Sequence, residues 1–562
     1  MRDLTALERL KRRYGAGIAA RRLRLLRRLD RTRLKSAQAV QRLHELLCFL
    51  RAYPDDAEVA AQVERMLARF AQRADLHAQR DALAASGIAG TTHWFPYFWP
   101  TARWLVERWP ALLQFDRSDT EAADNLLKAL PLIASPLEAA AIKERRLDGF
   151  AAIDRLRGKQ TDAAFVVHRV AALPASEPVR EAIYDAINPS CHLLPGRGAA
   201  GRSAAGRTDA ETPPSRTLDR LPVKPVYRTT PFAAGRADLR AELERAPRAF
   251  RCLPRSEGAR LLDLARRALA VRQRDLDAIA WGNERDVWWV DDFDGRAYAL
   301  IGMQPARRAP VAAIYGTLYL QNGVPVGYGQ SDHVGRACAL SFNVFDTFRG
   351  GEASRVLARL MAALHAVFGA TSFSVEPYQL GQDNDEGIAS GAWWFWFKHG
   401  FAPRDTEALK AVRAEQQRSA RNPAHRSSED TLRQLARWHL FFELDPTRPT
   451  PLPPPAELGL RAAALLAAID DDRDAALARC VQQAQRACGL RSERALPPAE
   501  REAWRQWAPL LALLPGLPRW PLDERRAICT LITAKAAPSE REYVLRLAAH
   551  KRLSRALVGE SR

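Results

Sequence analysis

Arg349-Gly350-Gly351-Glu352-Ala353-Ser354 joins an apolar run, Ala337 to Phe345, to a segment in which Val356, Leu360, Met361, Leu364 and Val367 recur at helical spacing. A glycine turn that carries a strand straight into a helix points unpaired backbone N–H groups outward. Those amides, with the positive end of the helix, make a natural seat for a phosphate. Arg349 adds a cation to that seat. Glu352 repels a phosphate, although a carboxylate suits the first turn of a helix. Further on, the run Thr371 to Tyr378 leads through Glu376-Pro377-Tyr378 to Asp383, Asp385 and Glu386. A carboxylate placed there can take a proton from an ammonium group, directly or through water, and Tyr378 can protonate a leaving group. Asn384-Asp385-Glu386-Gly387 also reads simply as a helix start with favourable acidic residues.

Other chemistry is excluded by spacing. Ser331-Asp332-His333 holds the residue types of a hydrolase triad, but adjacent residues on an extended chain point in opposite directions. Gly329-Gln330-Ser331 lacks the second glycine of a nucleophile elbow and does not lead into a helix. The histidines show no metal-ligand spacing and no Gly-x-x-x-x-Gly-Lys is present, so neither metal catalysis nor a P-loop is expected. The cysteines Cys48, Cys191, Cys252, Cys338, Cys480, Cys488 and Cys529 are scattered, odd in number and contain no Cys-x-x-Cys pair. They indicate neither a disulfide framework nor zinc.

The elements that must position the turn are legible on both sides of it. Val311 to Leu320 and Val324 to Gln330 are β-rich and joined by Asn322-Gly323, a pair whose positive φ values suit a two-residue hairpin. Val287 to Val290 and Tyr298 to Ile301 form another pair around Asp294-Gly295. Leu261, Leu264, Ala268 and Val271 mark a helix ahead of them. Ala392-Trp-Trp-Phe-Trp-Phe-Lys398 reads as a compact buried helix closing the unit before Gly400-Phe401.

In its order of elements this stretch resembles the GNAT (Gcn5-related N-acetyltransferase) superfamily. Gly351-Glu352-Ala353 matches the second half of that family's Arg/Gln-x-x-Gly-x-Gly/Ala turn, with Arg349 one residue nearer than the pattern has it. Ala392, Trp396, Lys398, Gly400 and Phe401 overlay its closing Ala-x-x-x-Tyr-x-Lys-x-Gly-Phe, with Trp396 in place of the tyrosine that protonates the departing thiolate. The resemblance implies an α/β (α+β) domain with a mixed sheet and an acyl-coenzyme A co-substrate, acetyl-coenzyme A by default. It implies coenzyme contacts at Asn343, Val344, Phe345, Arg349, Gly350, Gly351, Glu352, Ala353, Ser354, Trp396 and Lys398. No metal is implied. Catalytic roles fall to Tyr378, Glu376, Asp385 and Glu386, and the acceptor is an amine attacking the thioester directly. The Trp396 replacement and the shortened turn also suit a binding or scaffold protein that has kept the fold and lost the chemistry.

A chain of 562 residues exceeds one hydrophobic core. Six segments are expected: a helical domain over 1–194, a Pro/Gly/Arg-rich linker over 195–245, the GNAT-like domain over 246–405, a helical extension over 406–445, a proline-rich linker over 446–456 and a helical bundle over 457–562. In the first, Val40, Leu43, Leu47 and Leu50 and then Val59, Val63, Met66 and Phe70 form the stripes of a helical hairpin. Trp94 to Trp109 is dense in aromatics and expected to pack against a neighbour.

The formal net charge is +20. Its arginine bias fits a high-GC bacterial coding sequence as well as selection for arginine chemistry. About ten of those charges lie before Glu45, whereas Pro310 to Phe401 is acidic by about two. An acidic acceptor site suits a cationic amine. The basic N-terminal segment is a solvated helix face or a surface for a polyanion such as nucleic acid, and a macromolecular acceptor is compatible with the large helical additions. No signal-peptide core and no apolar run of membrane-spanning length is present, so a cytoplasmic protein is expected.

Overall fold

The computed structural model describes residues 2–196, 212–233, 235–349, 352–447, 449–450, 455–490, 496–514 and 516–558. Gly350 and Gly351 lie outside the described residues, as do 197–211 of the first linker and 448 and 451–454 of the second.

The chain has the mixed α/β architecture expected of it. Three short strands, β1 (His93–Phe95), β2 (Leu113–Phe115) and β3 (Cys191–Leu193), form a small antiparallel sheet with β3 central. The main sheet has eight strands in sequence order. They are β4 (Ala249–Cys252), β5 (Gly282–Asp291), β6 (Arg296–Met303), β7 (Ala313–Gln321), β8 (Val324–Val334), β9 (Ala337–Val344), β10 (Ser372–Val375) and β11 (Leu440–Glu443). Every neighbouring pair is antiparallel except β9 and β10, which run parallel through the helix Ala353–Phe368. Strand β11 comes from the segment assigned above to a helical extension, so the central unit reaches Glu443.

Turn chemistry sets the hairpins. Asp294 and Gly295 take φ values of 60° and 75°, and Asn322 and Gly323 take 49° and 74°, as a two-residue turn of this hand requires. Asn322 does more than turn the chain. Its amide donates to Ala52 O at 2.9 Å and Val226 O at 3.1 Å and accepts from Val226 N at 2.8 Å, which pins the hairpin tip to the N-terminal helices and the linker.

The side-chain period of two then sorts the strands' residues onto two faces. On one, the helices Arg255–Ala270 and Asp277–Ala280 cover β5 to β7. Gly258 lies against Glu284 O and Gly316 against Ile279, at spacings where a Cβ would collide. On the other, the helix Ala353–Phe368 packs Phe368 4.6 Å from the Tyr315 ring and 4.2 Å from His333. The C-terminal bundle joins that second face through a buried polar knot. Asp286 accepts from Tyr315 Oη at 2.8 Å and Glu540 N at 3.1 Å, and Glu540 meets Lys535 and Arg308.

Three expectations change. The N-terminal region is not one helical domain: residues before about 90 share the sheet's core, whereas Trp99 to Leu193 builds a second core around Trp99, Phe165 and Tyr184. The strand expected over Thr371–Tyr378 stops at Val375, because Pro377 supplies no N–H and starts the short helix Pro377–Leu380. The linker around Pro214–Asp219 is packed rather than solvated, whereas most of 222–238 is exposed. Thr217 is fully buried, its Oγ1 accepting from Ala89 N and meeting His44 Nε2, both at 2.9 Å, while Asp219 pairs with Arg267 at 2.7 Å. In the aromatic segment Tyr97, Trp99, Trp104 and Trp109 are buried as expected, but Trp94 and Phe98 face solvent. No helix among the described residues is long and apolar enough to cross a membrane.

Candidate functional site

Strands β9 and β10 pair only over Ala337–Ala339 and Ser372–Ser374. Beyond Ala339, β9 runs on to Val344 paired with β8 on one side and, among the described residues, with no strand on the other, because β10 has already turned off at Glu376-Pro377. The parting leaves the outer backbone edge of Leu340–Val344 facing a gap, and the first turn of helix Ala353–Phe368 lies just beyond its end. Phe342 closes one side of that gap, stacking on Phe395 at 6.2 Å and meeting Trp396 edge-on at 6.3 Å.

The turn at the end of β9 is surrounded by cations. Lys11 Nζ donates to Thr347 O at 2.9 Å, Arg12 donates to Arg349 O, and Arg216 donates to Thr347 Oγ1. Arg272 lies 4.2 Å from the centre of the Phe345 ring, which itself stacks on Tyr328 at 5.5 Å. Burial, with the charges of Arg216, pushes the Arg272 guanidinium down to about 9. Arg349 holds the end of the strand, donating to Val344 O at 3.2 Å and pairing with Asp346 and Glu386 at 2.9 Å each. None of Lys11, Arg12, Arg216 and Arg272 carries a sequence signal, because they come from segments far from the turn in the chain.

Glu352 does not face the gap as a free charge. It is buried and bonded to Arg228 at 2.8 Å and Arg296 at 3.3 Å. The repulsive charge read from sequence is thereby neutralised within the fold. Ser354 Oγ accepts from Ala237 N at 2.8 Å and lies 2.7 Å from His399 Nε2. Because His399 Nδ1 faces Phe395 O at 2.6 Å, the serine hydroxyl is the donor to Nε2 and the imidazole is neutral, as its burial also favours. Asn343 and Val344 are half-buried on β9 and Phe345 is buried. Ala353 opens the helix, and Gly350 and Gly351 lie outside the described residues.

The remaining expected residues are less convergent. Trp396 is buried among Phe342, Phe395 and Phe401, a core position, and Lys398 is exposed with its carbonyl accepting from Arg236. Glu376 and Tyr378 are exposed where β10 leaves the sheet. Glu386 is bound by Arg349 and by Arg274 at 3.2 Å, and the hydrogen bond from Arg349 holds its carboxyl below the usual range. Asp385 turns away to Arg433 at 2.8 Å. Of the four carboxyl and phenol groups proposed for catalysis, only Glu376 and Tyr378 stand beside the gap without a salt-bridge partner among the described residues.

Ser331 and His333 meet at 3.0 Å on the buried face, fully enclosed, while Asp332 points to the opposite face. The triad is therefore absent for the reason the strand period gives. No cluster of three or more metal-ligating side chains occurs among the described residues. A cavity of about 620 Å³, lined by Arg108, Asp263, Arg267 and the linker ends Gly196 and Thr212, lies elsewhere and touches no residue of the turn.

Compared with known proteins, the chain matches no family model, no curated protein and no solved structure.

Proposed function

We propose that the central unit is an acyl-coenzyme A-dependent N-acyltransferase of GNAT-like design. The observation that carries the reading is the parting of the parallel pair β9 and β10 directly ahead of a helix N-terminus. An extended pantetheine arm can take the place of the missing strand, hydrogen-bonding to the edge of Leu340–Asn343, ahead of Val344 O, which Arg349 already bonds. Its pyrophosphate then meets the first turn of helix Ala353–Phe368 and the cations around Thr347. A neutral primary amine attacks the thioester carbon, and the C–N bond forms as the C–S bond breaks. The nitrogen gives up a proton to a carboxylate such as Glu376 or to water, and the thiolate takes one from an acid. We assign that acid to Tyr378, exposed where the chain leaves β10, because Trp396, an indole in the core, does not serve.

A second reading has its own support. Lys11, Arg12, Arg228 and Ala237 already bond to the turn and the start of its helix, so the N-terminal segment and linker occupy part of the approach. A GNAT-like scaffold without catalysis, using its basic N-terminal helix Ile18–Arg31 on a polyanion such as nucleic acid, suits that docking.

Calorimetric titration separates the two. Acetyl-coenzyme A binding at micromolar affinity, lost by about ten-fold or more in Arg349→Glu and in acetyl-pantetheine, which lacks the pyrophosphate, is the expected result. Absence of binding to the folded protein, with a salt-steep affinity for RNA or DNA instead, sinks the enzyme reading.

A further inference from the structure

The face of the sheet that carries Asp332 holds a group of acceptors that the buried charge network does not use. Register fixes their arrangement. Asp332 on β8 is paired with Ala339 on β9, and Ala339 with Ser374 on β10, so the three lie in one row on one face. Glu376 follows Ser374 by two residues and continues on the same side. Strands are spaced by about 4.8 Å, so Asp332 and Ser374 stand two strands, roughly 10 Å, apart. Between them Ala339 contributes only a methyl group.

Each side offers oxygen. Asp332 is half-buried, and its Oδ1 accepts from Gln330 Nε2 at 2.9 Å. Glu376 is exposed. Neither carboxylate has an ion-pair partner among the described residues, in a chain where buried carboxylates such as Asp219, Asp292 and Glu352 are each paired with arginine. Ser374 supplies the independent sign of a ligand. It is almost fully buried, and its Oγ has no hydrogen-bond partner. A buried hydroxyl left unpaired costs free energy that a ligand can recover.

We propose that Asp332, Ser374 and Glu376 form a binding site for the primary ammonium group of a small organic cation. An ammonium presents three donors around a point, which matches acceptors grouped around Ala339 on one face. A guanidinium pairs best with two oxygens side by side on one carboxylate, and one oxygen of Asp332 already accepts from the Gln330 amide, so a compact ammonium is the better match there. The site names the acceptor's recognition group and, as far as reaction goes, rests on the acyl-transfer reading; as a binding site it stands alone.

Occupancy must follow the Asp332 charge. Burial, opposed by the Gln330 hydrogen bond and reinforced by the charge of Glu376, pushes the Asp332 carboxyl up to about 6. The other titratable groups around it are Glu376, His439 beside Glu376, and the Cys338 thiol reached through the sheet, which burial and then Asp332 push up. An ammonium therefore binds well above pH 6 and is released as Asp332 takes its proton below it.

The test is an NMR-detected titration of the full chain with n-butylammonium, n-butylguanidinium and n-butanol, at pH 7.5 and 5.0. The expected result is saturable n-butylammonium binding at pH 7.5, weakened about ten-fold or more at pH 5.0, in Asp332→Asn and against n-butanol. Glu376→Gln, an exposed position that leaves the fold alone, weakens it several-fold. Binding that Asp332→Asn and Glu376→Gln leave unchanged, equal binding of butanol or butylguanidinium, or no amine binding up to millimolar concentration overturns the assignment. Acetyl-coenzyme A titrated into the same preparation keeps the readings apart. Amine binding without coenzyme binding preserves this site and sinks acyl transfer; coenzyme binding without amine binding does the reverse.

Discussion

Glu352→Gln is the substitution that tests how the turn is built. Glu352 stands within a buried charge chain: Arg228 and Arg296 bond to it, Arg296 also reaches Asp292 at 3.5 Å, and Asp292 pairs with Arg359 at 2.7 Å. Three guanidiniums share these two carboxylates, with Glu242 a third acid 3.5 Å from Arg359. Removing the charge of Glu352 leaves Arg228 without a carboxylate among the described residues and Arg296 with Asp292, which it shares with Arg359. At the effective dielectric of such sites a unit pair at about 4 Å is worth about 4 kcal/mol, and breaking one partner of a buried pair typically costs about 3–5 kcal/mol. For a cooperative unit of 150–250 residues that amounts to a fall in Tm of roughly 6–20 °C, followed by circular dichroism or calorimetry. The double variant Glu352→Gln/Arg228→Met recovers part of the loss, since it removes one of the stranded cations. Acetyl-coenzyme A affinity, measured below the variant's Tm, changes by less than about three-fold, because the carboxylate is already neutralised by its arginines. A variant that unfolds within 2 °C of wild type, or binds the coenzyme ten-fold tighter without losing stability, refutes the reasoning: Glu352 then faces the gap as a free charge.

Two further outcomes concern the far side of the sheet. Lys535→Met removes the ammonium that bonds Glu540 and donates to Ala312 O at 2.8 Å, leaving a buried glutamate with Arg308 at 3.4 Å; a loss of about 3–5 kcal/mol is expected from urea unfolding, and Lys535→Met/Glu540→Gln restores part of it. His333 is fully enclosed, and burial pushes its imidazole down to about 3. It is neutral in the folded chain and charges in the unfolded one below about 6.5, so its contribution is present above that pH and is lost as pH falls toward 3. The loss is on the order of 3 kcal/mol by pH 4, and His333→Leu flattens that part of the stability–pH curve. An unchanged slope in the variant places the titrating group elsewhere.

What was legible in the sequence was local. The Asn322-Gly323 and Asp294-Gly295 turns announced both hairpins because only a few residues tolerate the φ values these turns need, and the apolar spacing after Glu352 announced the helix. The failures are long-range. Residues 212–233 have the composition of a spacer, yet Thr217 is buried because His44 and Ala89, more than a hundred positions away, complete its hydrogen bonds. Strand β11 was read as part of a helical extension because four residues, Leu440–Glu443, are too few to show a period, and only pairing with β10 makes them a strand. In sequence, Asp332 stands out only as a member of the Ser331-Asp332-His333 run. The alternation that dismissed it from the triad is the same alternation that sets it opposite Ala339 and in line with Ser374.

The distribution of charge takes on a different meaning once the chain is folded. By sequence, the excess of positive charge sits before Glu45 and the module around the glycine turn is slightly acidic, which separates the basic region from the chemistry. In space, Lys11 and Arg12 stand over Thr347 and Arg349, and Arg216 of the linker stands beside them. Their bonds at the turn go to carbonyl and hydroxyl oxygens rather than to carboxylates, and the nearest carboxylate to Arg216, Glu45, is 3.8 Å away. Lys11 responds accordingly: burial first, then the charge of Arg12, holds its ammonium below the ordinary range. Cations bonded mainly to neutral oxygens and repelling one another are relieved by an anion, and the docked N-terminal segment brings positive charge to a turn whose Arg228 and Arg296 are neutralised by Glu352. On the acyl-transfer reading proposed above, the N-terminal region therefore takes part in holding the pyrophosphate, and its removal is expected to weaken coenzyme binding rather than open the site.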